Sequence, residues 1–300
     1  MVRNAADHCQ YQTEGCDVRI ERADDDPLVV VVTPRDAEMV PIGFEQRVLD
    51  ALACALGRRF SPALSLRTQA SHTDWYVCRG AYLDAEGMIR PPILPVCGAA
   101  QMDIWSFASL YQDKIAREWP DVFGIHDPMS AAMAEISLGS QGTLQSASLA
   151  LAIGIEAIGN AIHLRRRYPA ESPSFLGMDS MMEYIRHWTG DATTREFVLD
   201  RLAQLKGPDF ASCLYAFADA KGIHHDVIKT WKKTRPRLAH GVLSDTMQLS
   251  PDAERHELQT SVDSYYAMLG LVYRMIADFI GYVGPLVDFA ESDWGVDPAV

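Results

Sequence analysis

Between Trp231 and Gly241 the chain reads Trp-Lys-Lys-Thr-Arg-Pro-Arg-Leu-Ala-His-Gly, a basic stretch inside an acidic protein. Two of its side chains are suited to chemistry on a phosphate. The planar fork of Arg235 can grip phosphate oxygens. The imidazole of His240, ordinarily titrating near 6.5, can give or take a proton at neutral pH. Five positions on a regular helix turn the direction by about 140°. Pro236 has no N–H and disfavours a helical Arg235, so a break is expected there that would let both side chains reach one phosphate.

An Arg-x4-His spacing is cheap: on the order of half a match is expected by chance. The chain holds three, at Arg3–His8, Arg67–His72 and Arg235–His240. Context separates them. Arg3 lies in a polar arm. Arg67 and His72 lie in alternating, strand-like sequence, which predicts opposite faces for the two. Arg235 follows an amphipathic helical segment and is surrounded by Lys229, Lys232, Lys233 and Arg237.

The stretch from Trp231 to Gly241 resembles the signature of the HEPN superfamily, small helical bundles that include many metal-independent ribonucleases of toxin–antitoxin, abortive-infection and antiviral systems. Its pattern is Arg, a polar residue, three to five further residues, then His; Pro236 stands here in the polar residue's place. Glu156 resembles the glutamate often found in the first family helix. The close match covers the eleven residues from Trp231 to Gly241, and the looser helical match about half the chain.

The resemblance implies an endoribonuclease with Arg235, His240 and Glu156 as its catalytic residues, cleaving by attack of the ribose 2′-OH on the adjacent phosphate. Products would carry 2′,3′-cyclic phosphate and 5′-OH ends. It implies a homodimer formed through the helical domain, because one chain supplies one such histidine. Lys232, Lys233 and Arg237 would steer the RNA backbone, with Arg165 and Arg166 extending the path. No cofactor or metal is expected, and an antitoxin or sensor partner would fit the family setting. The alternative is a non-catalytic HEPN-like module that binds RNA or protein. A third reading is a structural interaction protein in which the motif is coincidence.

Plain structural roles stand beside each of these. Lys232 and Lys233 suit a solvated, dipole-complementary helix end. His240 before Gly241 suits a helix C-cap. Arg165–Arg167 reads as a solvated face. His224 and His225 are adjacent and so point apart on a helix. Trp231 is expected in the core, and Glu156 could satisfy a buried partner.

The elements that would carry these residues follow from periodicity. Residues 1–98 are expected to form a small α+β domain. Within it, Leu28–Thr33 reads as a buried strand, Phe44–Leu56 as a helix stopped by Gly57, and two alternating stretches around Leu64 and Trp75 as antiparallel strands. Residues 99–290 are expected to form a mainly α-helical, HEPN-like bundle. Its helices are expected near Gln101–Trp119, Pro128–Leu138, Thr143–Leu164, Ser180–Trp188, Thr193–Leu205, Pro208–Gly222 and Ile223–Lys233. A last one follows the Ser250-Pro251-Asp252 start signal to about Phe279.

The chain has 300 residues and a formal charge of −13, with 48% hydrophobic residues. This is globular composition with enough apolar material for one large or two small cores. The net charge opposes nucleic acid as a whole, so any RNA contact must use a local basic patch. The six cysteines form no CxxC pair, and His8, Cys9 and Cys16 are the nearest approach to a metal cluster. No apolar run is long enough for a membrane span and the first residues lack a signal-peptide core, so a cytoplasmic location is expected.

Overall fold

The computed structural model describes residues 8–13, 15–22, 28–35, 40–41, 43–57, 64–69, 72–77, 93–94, 100–120, 127–140, 142–169, 178–206, 209–239 and 250–287. Strands β1 (His8–Thr13), β2 (Cys16–Arg22) and β3 (Leu28–Pro34) form an antiparallel sheet in that order. Gly15, with φ of 73°, supplies the left-handed residue that the tight β1–β2 turn needs. Alternation in β1 and β2 puts Tyr11, Thr13, Cys16, Val18 and Ile20 inside, and all five are buried.

Helix α1 (Phe44–Leu56) stops at Gly57, whose φ of 67° is the expected left-handed cap. Strands β4 (Leu64–Gln69) and β5 (His72–Val77) pair antiparallel as a separate hairpin. Their register sets Gln69 opposite His72 and Arg67 opposite Asp74. Positions 67 and 72 therefore share one face of the hairpin. The sequence expectation of opposite faces treated the stretch as one strand; reversal of the chain restores the phase.

Helix α2 (Ala100–Glu118) carries the three-stranded sheet. Tyr11 stacks on Trp105 and accepts a 2.6 Å hydrogen bond from Gln112, while Thr13 donates to Asp113. A buried polar seam then joins α1 to α3 (Pro128–Gly139): Ser130 donates its hydroxyl to Asp50 and its backbone N–H to the cap residue Asp127. Burial raises the Asp127 carboxyl above the usual carboxylate range, against the pull of those Ser130 bonds.

Helix α4 (Leu144–Ala161) is the centre of the helical half and packs against α3, α9 and α10. Leu151, Ile155 and Ile158 are fully buried, each worth roughly 1.5–3 kcal/mol of apolar transfer. The continuous helix expected up to Leu164 is interrupted. His163 takes a left-handed φ of 53°, and the short α5 (Leu164–Arg167) restarts in a new direction. Helices α6 (Met178–Arg186) and α7 (Ala192–Lys206) pack chiefly on each other, and none of their described side chains is buried. Asp191 caps α7 by accepting from the backbone N–H and hydroxyl of Thr194. Helices α8 (Phe210–Lys221), α9 (His225–Ala239) and α10 (Pro251–Ile280) complete the chain order. Ser250 caps α10, as the start signal predicts, and Gly281 ends it in a left-handed conformation.

Thus an α+β N-terminal part precedes a mainly α-helical region. Among the described residues no helix is long and apolar enough to cross a membrane.

Candidate functional site

Trp231 fixes the position of α9. It is only 4% exposed, as the core reading predicts. Its indole N–H donates to the Ala152 carbonyl of α4 at 2.9 Å, and its ring meets Phe210 edge-on at 5.6 Å. Phe210 reaches into the space left by Gly159 on α4, where a Cβ would collide with the ring. One turn beyond Ala152 comes Glu156, and one turn beyond Trp231 comes Arg235. The two helices therefore advance in step, and Arg235 forms a 2.8 Å ion pair with Glu156.

Two residues singled out from sequence positions far apart are thus in contact. The pair sits at the surface, with Arg235 50% and Glu156 27% exposed. An incoming phosphate could reach the guanidinium without opening the core. Five donors on Arg235 leave it able to hold a second acceptor beside the carboxylate.

The cationic surroundings extend over α5 and α9. Asp209, the N-cap of α8, accepts from the Ser212 backbone N–H at 2.6 Å. Its carboxyl is held below the usual range first by hydrogen bonds from Ser212, then by the nearby positive charges of Lys232 and Arg165. Lys232 and Arg165 therefore approach the same α8 terminus from different helices. Lys233 and Arg166 are exposed, and neither has a further described partner that bears on the site. The backbone of Arg237 lies in α9, while its side chain and His240 lie outside the described residues.

Helix α9 runs through Pro236 to Ala239, so the expected break at Arg235 does not occur. Pro236 stands near the helix end, where losing one backbone donor disturbs only the last turn. Arg235 is held in helical geometry by the two neighbouring anchors, Trp231 and the Glu156 pair.

Arg165, Arg166 and Arg167 are all exposed, as the solvated run predicts, and Arg167 also has charged and aromatic partners. It pairs with Asp278 of α10 at 2.8 Å and lies over the Phe279 ring. Tyr168 donates its hydroxyl to the same carboxylate, and Lys221 of α8 also pairs with it. Sequence reading missed Asp278 because it lies within the apolar stripe of α10, with its partners 57 to 111 positions away in the chain. His225 pairs with Asp219 and His224 with Asp226, so the adjacent histidines point to different carboxylates. Among the described residues no group of three or more His, Cys, Asp or Glu side chains could hold a metal ion.

No protein-family model, curated protein or solved structure matches the chain.

Proposed function

We propose that this protein is a metal-independent endoribonuclease of HEPN type, acting in a toxin, abortive-infection or antiviral role. The observation that carries the proposal is the Arg235–Glu156 ion pair, which joins two residues of the motif reading at an accessible surface. Lys232 and Arg165 both bring positive charge to Asp209 at the start of α8, and such charge suits a polyanionic backbone.

In this reaction the ribose 2′-OH loses its proton and its oxygen bonds to phosphorus. The P–O5′ bond then breaks, and the leaving oxygen takes up a proton. Arg235 neutralises the charge on the phosphorane oxygens, and Glu156 holds the guanidinium in orientation. His240 moves one proton and the equivalent histidine of a second copy moves the other, which makes the homodimer part of the proposal.

A second reading, RNA binding without catalysis, is favoured by one observation. Pro236 gives the motif no polar side chain beside Arg235, and α9 continues through it. The deciding experiment is incubation of pure protein in EDTA with a labelled RNA oligonucleotide, comparing wild type, His240→Ala and Arg235→Ala. Cleavage by wild type alone, leaving cyclic phosphate ends, supports the nuclease. RNA binding that Arg235→Ala weakens, with no cleavage by any form, supports the binding module. Neither binding nor cleavage rejects both.

A further inference from the structure

Strand β3 is Leu-Val-Val-Val-Val-Thr-Pro, a sequence suited to burial on both faces, yet it lies at the end of the sheet. No described residue of it is buried, and Val29 is 41% exposed. This corrects the expectation of a buried strand. Edge strands are ordinarily protected by inward charges, bulges or a covering element. Among the described residues none of these covers the outer edge of β3.

The hydrogen-bond phase tells which groups are open. Arg35 donates its backbone N–H to the Gly15 carbonyl, in register with Val31 opposite Arg19 and Val29 opposite Glu21. Alternation then turns the polar groups of Val29, Val31 and Thr33 toward β2. Those of Leu28, Val30 and Val32 face outward, and so does the carbonyl of Pro34. Pro34 conforms to this phase, since its missing N–H falls on the outward side and costs the ladder nothing. Val30 and Val32 pack their side chains against the core.

We propose that β3 is a docking edge for an extended segment of a partner protein, which adds to the sheet as a fourth strand next to β3. Val30 and Val32 would exchange backbone hydrogen bonds with it, and Val29 and Val31 would cover its apolar side chains. Charge selects the partner's ends. Asp24, Asp25 and Asp26 precede the strand, and Asp36 and Glu38 follow it, five acids against Arg35 and Arg22, the latter opposite Leu28. Arg19 adds nothing free, being paired with Glu21 at 2.9 Å. Antiparallel self-pairing about Val31 leads the acidic flank of each copy toward that of the other, so a second copy is disfavoured. A β-branched segment flanked by Lys or Arg fits both the edge and its charge.

The test is amide hydrogen exchange followed by NMR on the full chain. The probe is a short peptide of alternating valine and threonine with lysines at both ends. In the free protein Val30 and Val32 should exchange quickly while Val29, Val31 and Thr33 are protected by β2. The lysine peptide should slow Val30 and Val32 by about tenfold or more. A glutamate-ended peptide, and a lysine peptide with alternate amides methylated, should not. Four results would overturn the proposal: protection already present in the free chain, protection that grows with protein concentration, equal protection by the glutamate peptide, or none by any peptide. The second of these would assign the edge to a second copy. Cleavage of RNA plays no part in this readout, so its outcome is independent of the nuclease reading.

Discussion

Arg235 on α9 and Glu156 on α4 are joined by a 2.8 Å ion pair, one helical turn beyond the point where Trp231 anchors α9 to Ala152. The pair is half open to water, and such pairs contribute about 0–1 kcal/mol to stability. Arg235→Ala and Glu156→Gln should therefore leave the unfolding free energy, read from urea titration, within about 1 kcal/mol of wild type. If the guanidinium holds the phosphate, Arg235→Ala should abolish RNA cleavage, and Glu156→Gln should reduce it by about tenfold or more through loss of orientation. A large fall in stability in both variants would make the pair a structural clasp instead.

Trp231 should behave in the opposite way. Trp231→Phe keeps most of the ring but removes the N–H, leaving the buried Ala152 carbonyl without that donor. That carbonyl keeps its bond within α4, so the cost expected is that of one lost hydrogen bond, about 0.5–1.5 kcal/mol. Equilibrium urea unfolding should show it, and any loss of RNA cleavage should follow loss of fold.

Gly159 tests the closeness of α4 and α8. Alanine is worth up to about 1 kcal/mol more than glycine in a helix interior. Here its methyl would meet the Phe210 ring, which already packs on Trp231. Overpacking of this kind costs about 1–3 kcal/mol, so Gly159→Ala should lower the thermal midpoint despite the propensity gain. A rise would mean that the ring yields freely.

The parts of this fold that were legible in sequence are those governed by local signals. The bounds Phe44–Leu56 of α1 follow from a periodic apolar face and a terminal glycine, and the start of α10 from Ser250-Pro251-Asp252. What was not legible depends on neighbours remote in the chain. The valines of β3 carry no mark of an edge, because strand order is set by which strands pair. The helix through Pro236 depends on anchors supplied by α4. Of the candidate site, Arg235 and Glu156 meet, and Lys232 and Arg165 share the electrostatics of Asp209. Asp209 itself escaped notice as part of that site, although its place after Pro208 is a helix-start signal.

The alkaline limit of stability offers a test that needs no RNA. Burial, with the nearby Asp103 charge, raises the Tyr282 hydroxyl to about 12 from an ordinary 10.0. Tyr168 is also raised, by burial and then by its bond to Asp278, and Lys221 is raised by its own bond to Asp278. In each case the folded chain keeps a proton that the unfolded chain gives up. Their contributions are intact below pH 10 and are lost as pH climbs toward the raised values. Stability should therefore fall steeply between about pH 10 and 12, a slope opposite to that of paired carboxylates in acid. Tyr282→Phe keeps the ring, which meets Phe107 edge-on, and removes its own titration. Urea midpoints measured near pH 8 and pH 11, in the presence of reductant, should differ less in this variant than in wild type. An unchanged difference would place the alkaline loss on the remaining raised groups, among them Tyr111, whose hydroxyl burial pushes well up, and Asp278→Asn would test the share of Tyr168 and Lys221, since both lean on that carboxylate.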